Sequence, residues 1–311
     1  MLLSGSLPAS GELACLTTFF NPAGFVRPLA NYRVFARRLG ASPITLELAF
    51  HDREFQIGEA VHLRASSILW QKERLLNYGL TLLPPSCKYV AWLDSDIIFE
   101  DDWATAAIRK FEAGASVIQL FDRVFHLPPN DERYRGRHVA CQAGYAAQAV
   151  EPEFRRRRLS GELPPAAPGF AWAARRDLLV AGLYDRHVLG GNDGIFIGAC
   201  LGCHHLHTYY KVGKGTRLLA DIIAWSHRLG RHHVEYLPIP IYHLYHGSLE
   251  RRGYAARERI LRVHEFDPRG DVRVHNHVFE WATNKPRLHE EVVGYFRTRR
   301  EDDVSGYGDS A

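Results

Sequence analysis

Lysine is scarce in this 311-residue chain, six residues against 33 arginines. The formal charge is nonetheless only +4 and the isoelectric point about 8.8, too mild to demand a nucleic-acid partner on charge alone. Long apolar runs are missing as well. None approaches the roughly 20 residues that span a bilayer, so no membrane span is expected. The opening Met1-Leu2-Leu3-Ser4-Gly5-Ser6-Leu7-Pro8 has neither a basic start nor a long apolar stretch and does not read as a secretion signal. Cysteine is sparse and odd in number, five, without framework spacing. That argues against a disulfide scaffold and for a reducing cytoplasm. What is present, 46% hydrophobic and 24% charged residues, suits a globular protein with a large core.

The order of elements points to an α/β protein. Leu13 to Phe20 reads as a strand closed by the turn signal Asn21-Pro22-Ala23-Gly24. Arg27 to Leu39 has helical apolar spacing and ends at Gly40. Ile44 to Phe50 is a second strand, residues 53 to 69 are mixed and extended, and Trp70 to Leu80 is a second helix. An apolar strand around Tyr89 follows, then a helix from Trp103 to Ala113 and a strand from Ala115 to Phe121. This alternation predicts a mainly parallel, Rossmann-like central sheet with helices on both faces. Residues 122 to 168, with Pro128-Pro129, four arginines from Arg155 to Arg158 and Pro164-Pro165-Ala166-Ala167-Pro168, read as an irregular insertion or surface loop. Arg251 to Val263 reads as a basic helix, and the tail from Asp302 as frayed.

The richest segment is Tyr89-Val90-Ala91-Trp92-Leu93-Asp94-Ser95-Asp96. A buried strand here ends in two carboxylates at the sheet's C-terminal edge, where open α/β sheets bind ligands. Positions i and i+2 of a strand face the same way, so Asp94 and Asp96 are expected to serve one site. Paired hard oxygens suit Mg²⁺ or Mn²⁺, with phosphate oxygens completing the shell; a solvated turn with two aspartates is the plainer alternative. Two later clusters strengthen the metal reading. In Gly190-Gly191-Asn192-Asp193-Gly194, Asn192 or Asp193 can cap the following helix, or Asp193 can act as a general base toward an acceptor hydroxyl. In Tyr242-His243-Leu244-Tyr245-His246-Gly247, followed by Arg251 and Arg252, an imidazole can complete an aspartate-based metal site. There Gly247 lets backbone approach a phosphate that the arginines neutralise.

Taken in order, these motifs resemble the GT-A class of nucleotide-sugar glycosyltransferases, family 2-like with an Asp-x-Asp motif, from about Leu13 to Arg257. The resemblance implies a GT-A-like catalytic domain over residues 1–260. Within it, 1–121 is the nucleotide-sugar-binding half, 122–168 the insertion, and 169–260 the half that closes the metal site and holds the acceptor. A C-terminal helical extension and tail occupy 261–311. It implies Asp94, Asp96 and His246 as metal ligands, with His243 the fallback for His246, and Mn²⁺ or Mg²⁺ as the ion. Asp193 becomes the base of an inverting transfer. The donor, a UDP-sugar by preference, would be held by Thr17, Glu47, Arg64, Lys72, Asp94, Gly191, Gly247 and Arg252. Many members have two adjacent acids where this chain has Asn192-Asp193.

The acceptor stays open between a glycan or small molecule and a hydroxymethylated pyrimidine of phage-type DNA, which the arginine runs could grip through phosphates. A sugar nucleotidyltransferase would share the sheet and metal, but it usually carries a glycine-rich basic loop after the first strand, where this chain has Thr17-Thr18-Phe19-Phe20-Asn21-Pro22. A non-catalytic nucleotide- or nucleic-acid-binding protein is the remaining alternative. Cys200-Leu201-Gly202-Cys203-His204 matches a haem-attachment spacing and, with His207, a zinc site. Burial as small core residues suits these cysteines better, and Trp172, Trp225 and Trp281 read as core.

Overall fold

The computed structural model describes residues 11–136, 139–159, 166–203, 212–248 and 253–304. Its strands are β1 (Leu13–Phe20), β2 (Ile44–Phe50), β3 (Val61–Ala65), β4 (Tyr89–Leu93), β5 (Ile97–Ile98), β6 (Val117–Gln119), β7 (Arg123–His126), β8 (Cys141–Ala143), β9 (Ala171–Arg175), β10 (Val234–Tyr236), β11 (Pro240–His243), β12 (Val272–His275) and β13 (Val278–Trp281). The helices are α1 (Arg27–Arg38), α2 (Lys72–Leu82), α3 (Trp103–Glu112), α4 (Tyr145–Ala149), α5 (Pro152–Leu159), α6 (Asn192–Cys200), α7 (Arg217–Leu229), α8 (Tyr254–Val263) and α9 (Pro286–Thr298).

Seven strands form the central sheet in the order β10-β6-β9-β4-β1-β2-β3. All ladders are parallel except those on either side of β9, the one reversed strand. The sheet is covered on both faces, and residue alternation shows how. Ala14 and Leu16 of β1, Val90 and Trp92 of β4, and Trp172 of β9 face a core shared with α2, α6, α7 and α9. Leu13, Cys15, Ala91, Leu93 and Ala173 point the other way, onto Phe35 of α1 and Trp103, Ala107 and Phe111 of α3. Burial on both faces explains why β1 and β4 read as unbroken apolar runs. The architecture is therefore the α/β class expected: a mainly parallel sheet flanked by helices.

Strand order reverses between β1, whose next neighbours are β2 and β3, and β4, which leads toward β9 and β6. A crevice opens at the carboxyl ends of adjacent strands at such a switch point. A second, four-stranded sheet, β5-β11-β7-β8, borders that crevice. Two of its strands fall within residues 122–168, so that segment is not irregular throughout: it holds β7, β8, α4 and α5. These strands are only four and three residues long, too short to show periodicity. The C-terminal part combines the β12–β13 hairpin with α9, and Asp302 is tied down rather than frayed: its carboxylate accepts from the backbone N–H groups of Val26 and Arg27 at 2.9 and 2.7 Å. Residues 305–311 lie outside the described residues. Among the described residues, no helix is long and apolar enough to cross a membrane.

Candidate active site

A cavity of about 710 Å³ lies over the carboxyl ends of β1 and β4, within the size range of small-molecule sites. Asp94 and Asp96 both line it, but they do not share a partner. β4 ends at Leu93, and Asp94 to Asp96 run through a turn, so the same-face rule for strands no longer holds. Asp94 turns to Lys72, with Oδ1 at 2.6 Å from Nζ. Asp96 turns to the second sheet, where β5 pairs antiparallel with β11 and sets Ile97 opposite His243. Leu244 N–H donates to Asp96 C=O at 2.8 Å and fixes the junction.

Around Asp96 Oδ2 lie His246 Nε2 at 3.0 Å and His243 Nε2 at 3.7 Å, and the two imidazole nitrogens are 3.0 Å apart. Asp96, His243 and His246 present ligand atoms all within 4.8 Å of one another. Asp94 stands outside this cluster, and His243 joins it rather than substituting for His246. The donor set fits a divalent cation. Ligands about 2.1 Å from one ion and at right angles are about 3 Å apart, and imidazole with carboxylate suits Mn²⁺ or related ions. Among the described residues, the second oxygen, Asp96 Oδ1, is buried and accepts no hydrogen bond, an expensive arrangement unless something else takes its charge. Burial raises the Asp96 carboxyl, but His243 and His246 in their protonated forms outweigh it and hold the group well below the carboxylate range. Glu301, 3.6 Å from His246 Nδ1, is also raised by burial, yet it is drawn down to about 2 by Arg299 and His246.

Beside this cluster sits a second charge centre. Lys72, at the start of α2 and 6% exposed, bridges Asp94 and Asp193, the latter at 3.3 and 3.1 Å from its two oxygens. Desolvation disfavours the ammonium, but Asp193 and Asp94 more than compensate and hold its pKa above the usual lysine value. Asp94 is pushed up to about 6 by burial, with Lys72 opposing and Asp193 and Asp96 reinforcing. Asp193 lies in the first turn of α6. Neither it nor Asn192 caps that helix: the N-cap is Gly191, at φ 95°. A Cβ at Gly191 would collide with the Arg257 guanidinium, so this glycine lets Arg257 reach the cavity. Asn192 is fully buried and donates to Glu73 at 2.6 Å.

Several expected donor contacts lie elsewhere. Thr17 is completely buried, and its hydroxyl donates to Leu93 C=O at 2.8 Å, pinning β1 to β4; its neighbour Thr18 lines the cavity instead. Glu47 accepts from the N–H groups of Gln56 and Ile57 at 2.6 and 3.0 Å and so holds a loop. Arg64 donates to the carbonyls of His51 and Arg53 and stacks over Phe55. Gly247, at φ 87°, packs under the carbonyls of Arg299 and Arg300. Arg252 lies outside the described residues, as do Arg251, His204 and His207. Lys72, Asp94, Gly191 and His246 do line the cavity. Cys200 and Cys203 are buried in and just after α6. Trp172 donates its indole N–H to Pro168 C=O at 2.9 Å within the core. Of the arginines suggested as phosphate grips, Arg156 pairs with Glu153 at 2.7 Å, and Arg257 is buried beside the cavity.

Nothing in the local sequence marked Phe170, His126, Gln142, Arg299 or Glu301 as part of this site, yet all line it. Phe170 sits at φ 77°, a rare conformation for a bulky residue. Its carbonyl accepts from Asp94 N–H at 2.7 Å, and its ring meets His243 edge-on with centroids 5.0 Å apart.

No protein-family model matches the chain, and no curated protein matches it. It resembles solved structures at low identity. The catalytic domain of Drosophila β1,4-galactosyltransferase 7 with xylobiose shares 13% identity over 60% of this chain and 58% of that chain, with a TM-score of 0.29. Glucosyl-3-phosphoglycerate synthase from Mycobacterium tuberculosis with phosphoglyceric acid shares 15% over 90% and 91%, with a TM-score of 0.37. S. aureus TarS 1–349 with UDP shares 12% over 82% and 68%, with a TM-score of 0.35. The chain thus spans less than two thirds of the galactosyltransferase domain. At TM-scores this low, function has to be read from the site's own residues.

Proposed function

We propose that this protein is a divalent-metal-dependent glycosyltransferase that moves a sugar from a nucleotide-sugar, a UDP-sugar by preference, to an acceptor hydroxyl. The observation that carries this reading is the junction of two charge centres in one cavity at the sheet's switch point. Asp96, His243 and His246 form one, and Asp94, Lys72 and Asp193 the other.

Asp96, His243 and His246 would hold Mn²⁺ or Mg²⁺, which supplies Lewis-acid stabilisation of a diphosphate leaving group. The protein's own groups do the rest. Lys72 and Arg299 line the same cavity and neutralise charge that grows on the phosphates as the glycosidic bond breaks. Asp193 accepts the proton of the attacking hydroxyl, with Lys72 fixing the orientation of its carboxylate. A lone base on the acceptor side, with attack opposite the leaving group, corresponds to inversion. Phe20 at the end of β1 and Pro22 just after it offer apolar surface for the donor's base. The acceptor reading favoured is a glycan or small molecule, because Arg257 faces the cavity rather than presenting itself to a polyanion.

The loop after β1 speaks against a sugar nucleotidyltransferase. Backbone N–H groups of Gly24 and Phe25 are taken by Asn21 Oδ1 at 3.0 Å each and are not offered to a triphosphate. The working unit also extends past residue 260, since Arg299 and Glu301 line the same cavity. The test is to incubate the protein with a panel of nucleotide-sugars and Mn²⁺ and to follow release of nucleoside diphosphate, with water or added sugars as acceptor. Release from one donor, abolished by chelation and by Asp193→Asn, is the expected result. Release of pyrophosphate from a nucleoside triphosphate and a sugar phosphate would instead establish the nucleotidyltransferase.

A further inference from the structure

The four-stranded sheet carries one polar side chain per strand in a line that leads into the metal cluster. Asp96 immediately precedes β5, His243 ends β11, His126 ends β7 and Gln142 is on β8, and the strands lie side by side in that order. Register makes the contacts: His243 and His126 are directly paired in the parallel β11–β7 ladder. Gln142 is opposite Val124, two residues before His126 and so on the same face. The side chains touch in sequence. His126 Nε2 is 3.2 Å from Gln142 Oε1, His126 Nδ1 is 3.0 Å from His243 Nδ1, and His243 Nε2 is 3.0 Å from His246 Nε2.

Metal-ligating imidazoles are neutral, and for neutral rings one set of hydrogen positions suits this line of contacts. With the Gln142 amide oxygen turned toward it, which can only accept, a neutral His126 would carry its proton on Nε2. A neutral imidazole has one N–H, which leaves His126 Nδ1 as an acceptor and makes His243 Nδ1–H the donor to it. His243 Nε2 then bears a lone pair directed at Asp96 and His246. We infer that Gln142 and His126 are positioning residues that lock His243 in the Nδ1–H tautomer, presenting its Nε2 lone pair to a divalent cation held with Asp96 and His246. The opposite tautomer would place a proton where the cation sits. Phe170, edge-on to both His126 and His243 at 6.0 and 5.0 Å, keeps the two rings from turning. The inference rests on the metal-dependent reading above.

Two measurements on the full chain separate them. Nitrogen-15 spectra of histidine-labelled, metal-free protein report the tautomer of His243 without any metal, and Mn²⁺ binding is read independently by electron paramagnetic resonance. At a pH where the imidazoles are neutral, the wild type is expected to show His243 as Nδ1–H and to bind Mn²⁺. In Gln142→Leu, a change at a partly exposed position, His243 is expected to populate both tautomers, and the Mn²⁺ dissociation constant to rise about 10- to 100-fold. An Nε2–H tautomer in the wild type overturns the inference whatever the metal result. Gln142→Leu binding Mn²⁺ as tightly as a competent wild type overturns the inference and leaves the metal reading standing. A wild type that binds no Mn²⁺, with His243 still Nδ1–H, overturns the metal reading and removes the purpose assigned to the relay.

Discussion

Lys72 holds two acids of the site at once. It is the common partner of Asp94 and Asp193, and removing it leaves two largely buried carboxylates facing each other. Breaking a buried pair costs about 3–5 kcal/mol. Because Asp94 and Asp193 keep some solvent contact, Lys72→Met should cost rather less, about 2–3 kcal/mol, read as a lower denaturation midpoint. Its neighbour Glu73 gives a pH signature. Burial raises Glu73 to about 7 from 4.5, with Lys72 opposing and Asp193 adding to the rise. A raised folded pKa means that the folded state binds the proton more tightly. This group's stabilising contribution is therefore complete below pH 4.5 and is lost as pH climbs through about 7. Glu73→Gln should flatten the fall in stability across that window and make the protein more stable at pH 8, by about 1–3 kcal/mol. Urea denaturation of both forms at pH 4.5 and 8 checks it; equal slopes would contradict it. At this scale the sequence was legible in residue type but less so in direction. Thr17 and Thr18 are indistinguishable in a string, and alternation along β1 decides that Thr18 meets the cavity while Thr17 ties two strands together. Asp94 and Asp96 were visible as a pair, yet the end of β4 at Leu93 sends them to different partners.

Among the elements, α1 depends on a residue 275 positions away. It has no acidic residue in its first turn and no side-chain cap of its own, and Asp302 accepts from Val26 and Arg27 N–H instead. Asp302→Ala should cost about 0.5–2 kcal/mol, the usual worth of an N-cap, whereas Asp302→Asn should recover part of it. A loss within error, measured by chemical denaturation, would mean that solvent serves those N–H groups equally well. The elements read from sequence, β1, β2, β4, β6, the first three helices, α6 and α8, are mostly those with continuous apolar runs or clear helical spacing. β3 was read only as part of an extended stretch, because the alternation of Val61-His62-Leu63-Arg64-Ala65 covers just five residues inside a polar segment. β7 and β8 were not, because three or four residues cannot establish a period. Yet β7 and β8 bring His126 and Gln142 to the site, so its outer layer was the least legible part of it.

For the whole molecule, the switch point of the large sheet and the edge of the small sheet have to meet for the site to exist. Asp96, at the end of the β4 turn, is where they do. His246→Ala should therefore weaken Mn²⁺ binding by more than the roughly 100-fold expected for an outer-layer contact, without lowering the denaturation midpoint as Lys72→Met does. The parts of the chain that meet here are far apart in sequence, and the C-terminal Arg299 and Glu301 could be placed only by the folded chain. The most direct test is a thermal-shift screen of nucleoside diphosphates and nucleotide-sugars, each with and without Mn²⁺, on the wild type and on Asp96→Asn. A ligand that binds only the folded state raises the melting temperature by mass action. The account predicts a rise with one nucleotide-sugar that requires Mn²⁺ and is absent in Asp96→Asn. No rise with any nucleotide, or the same rise in Asp96→Asn, would contradict it.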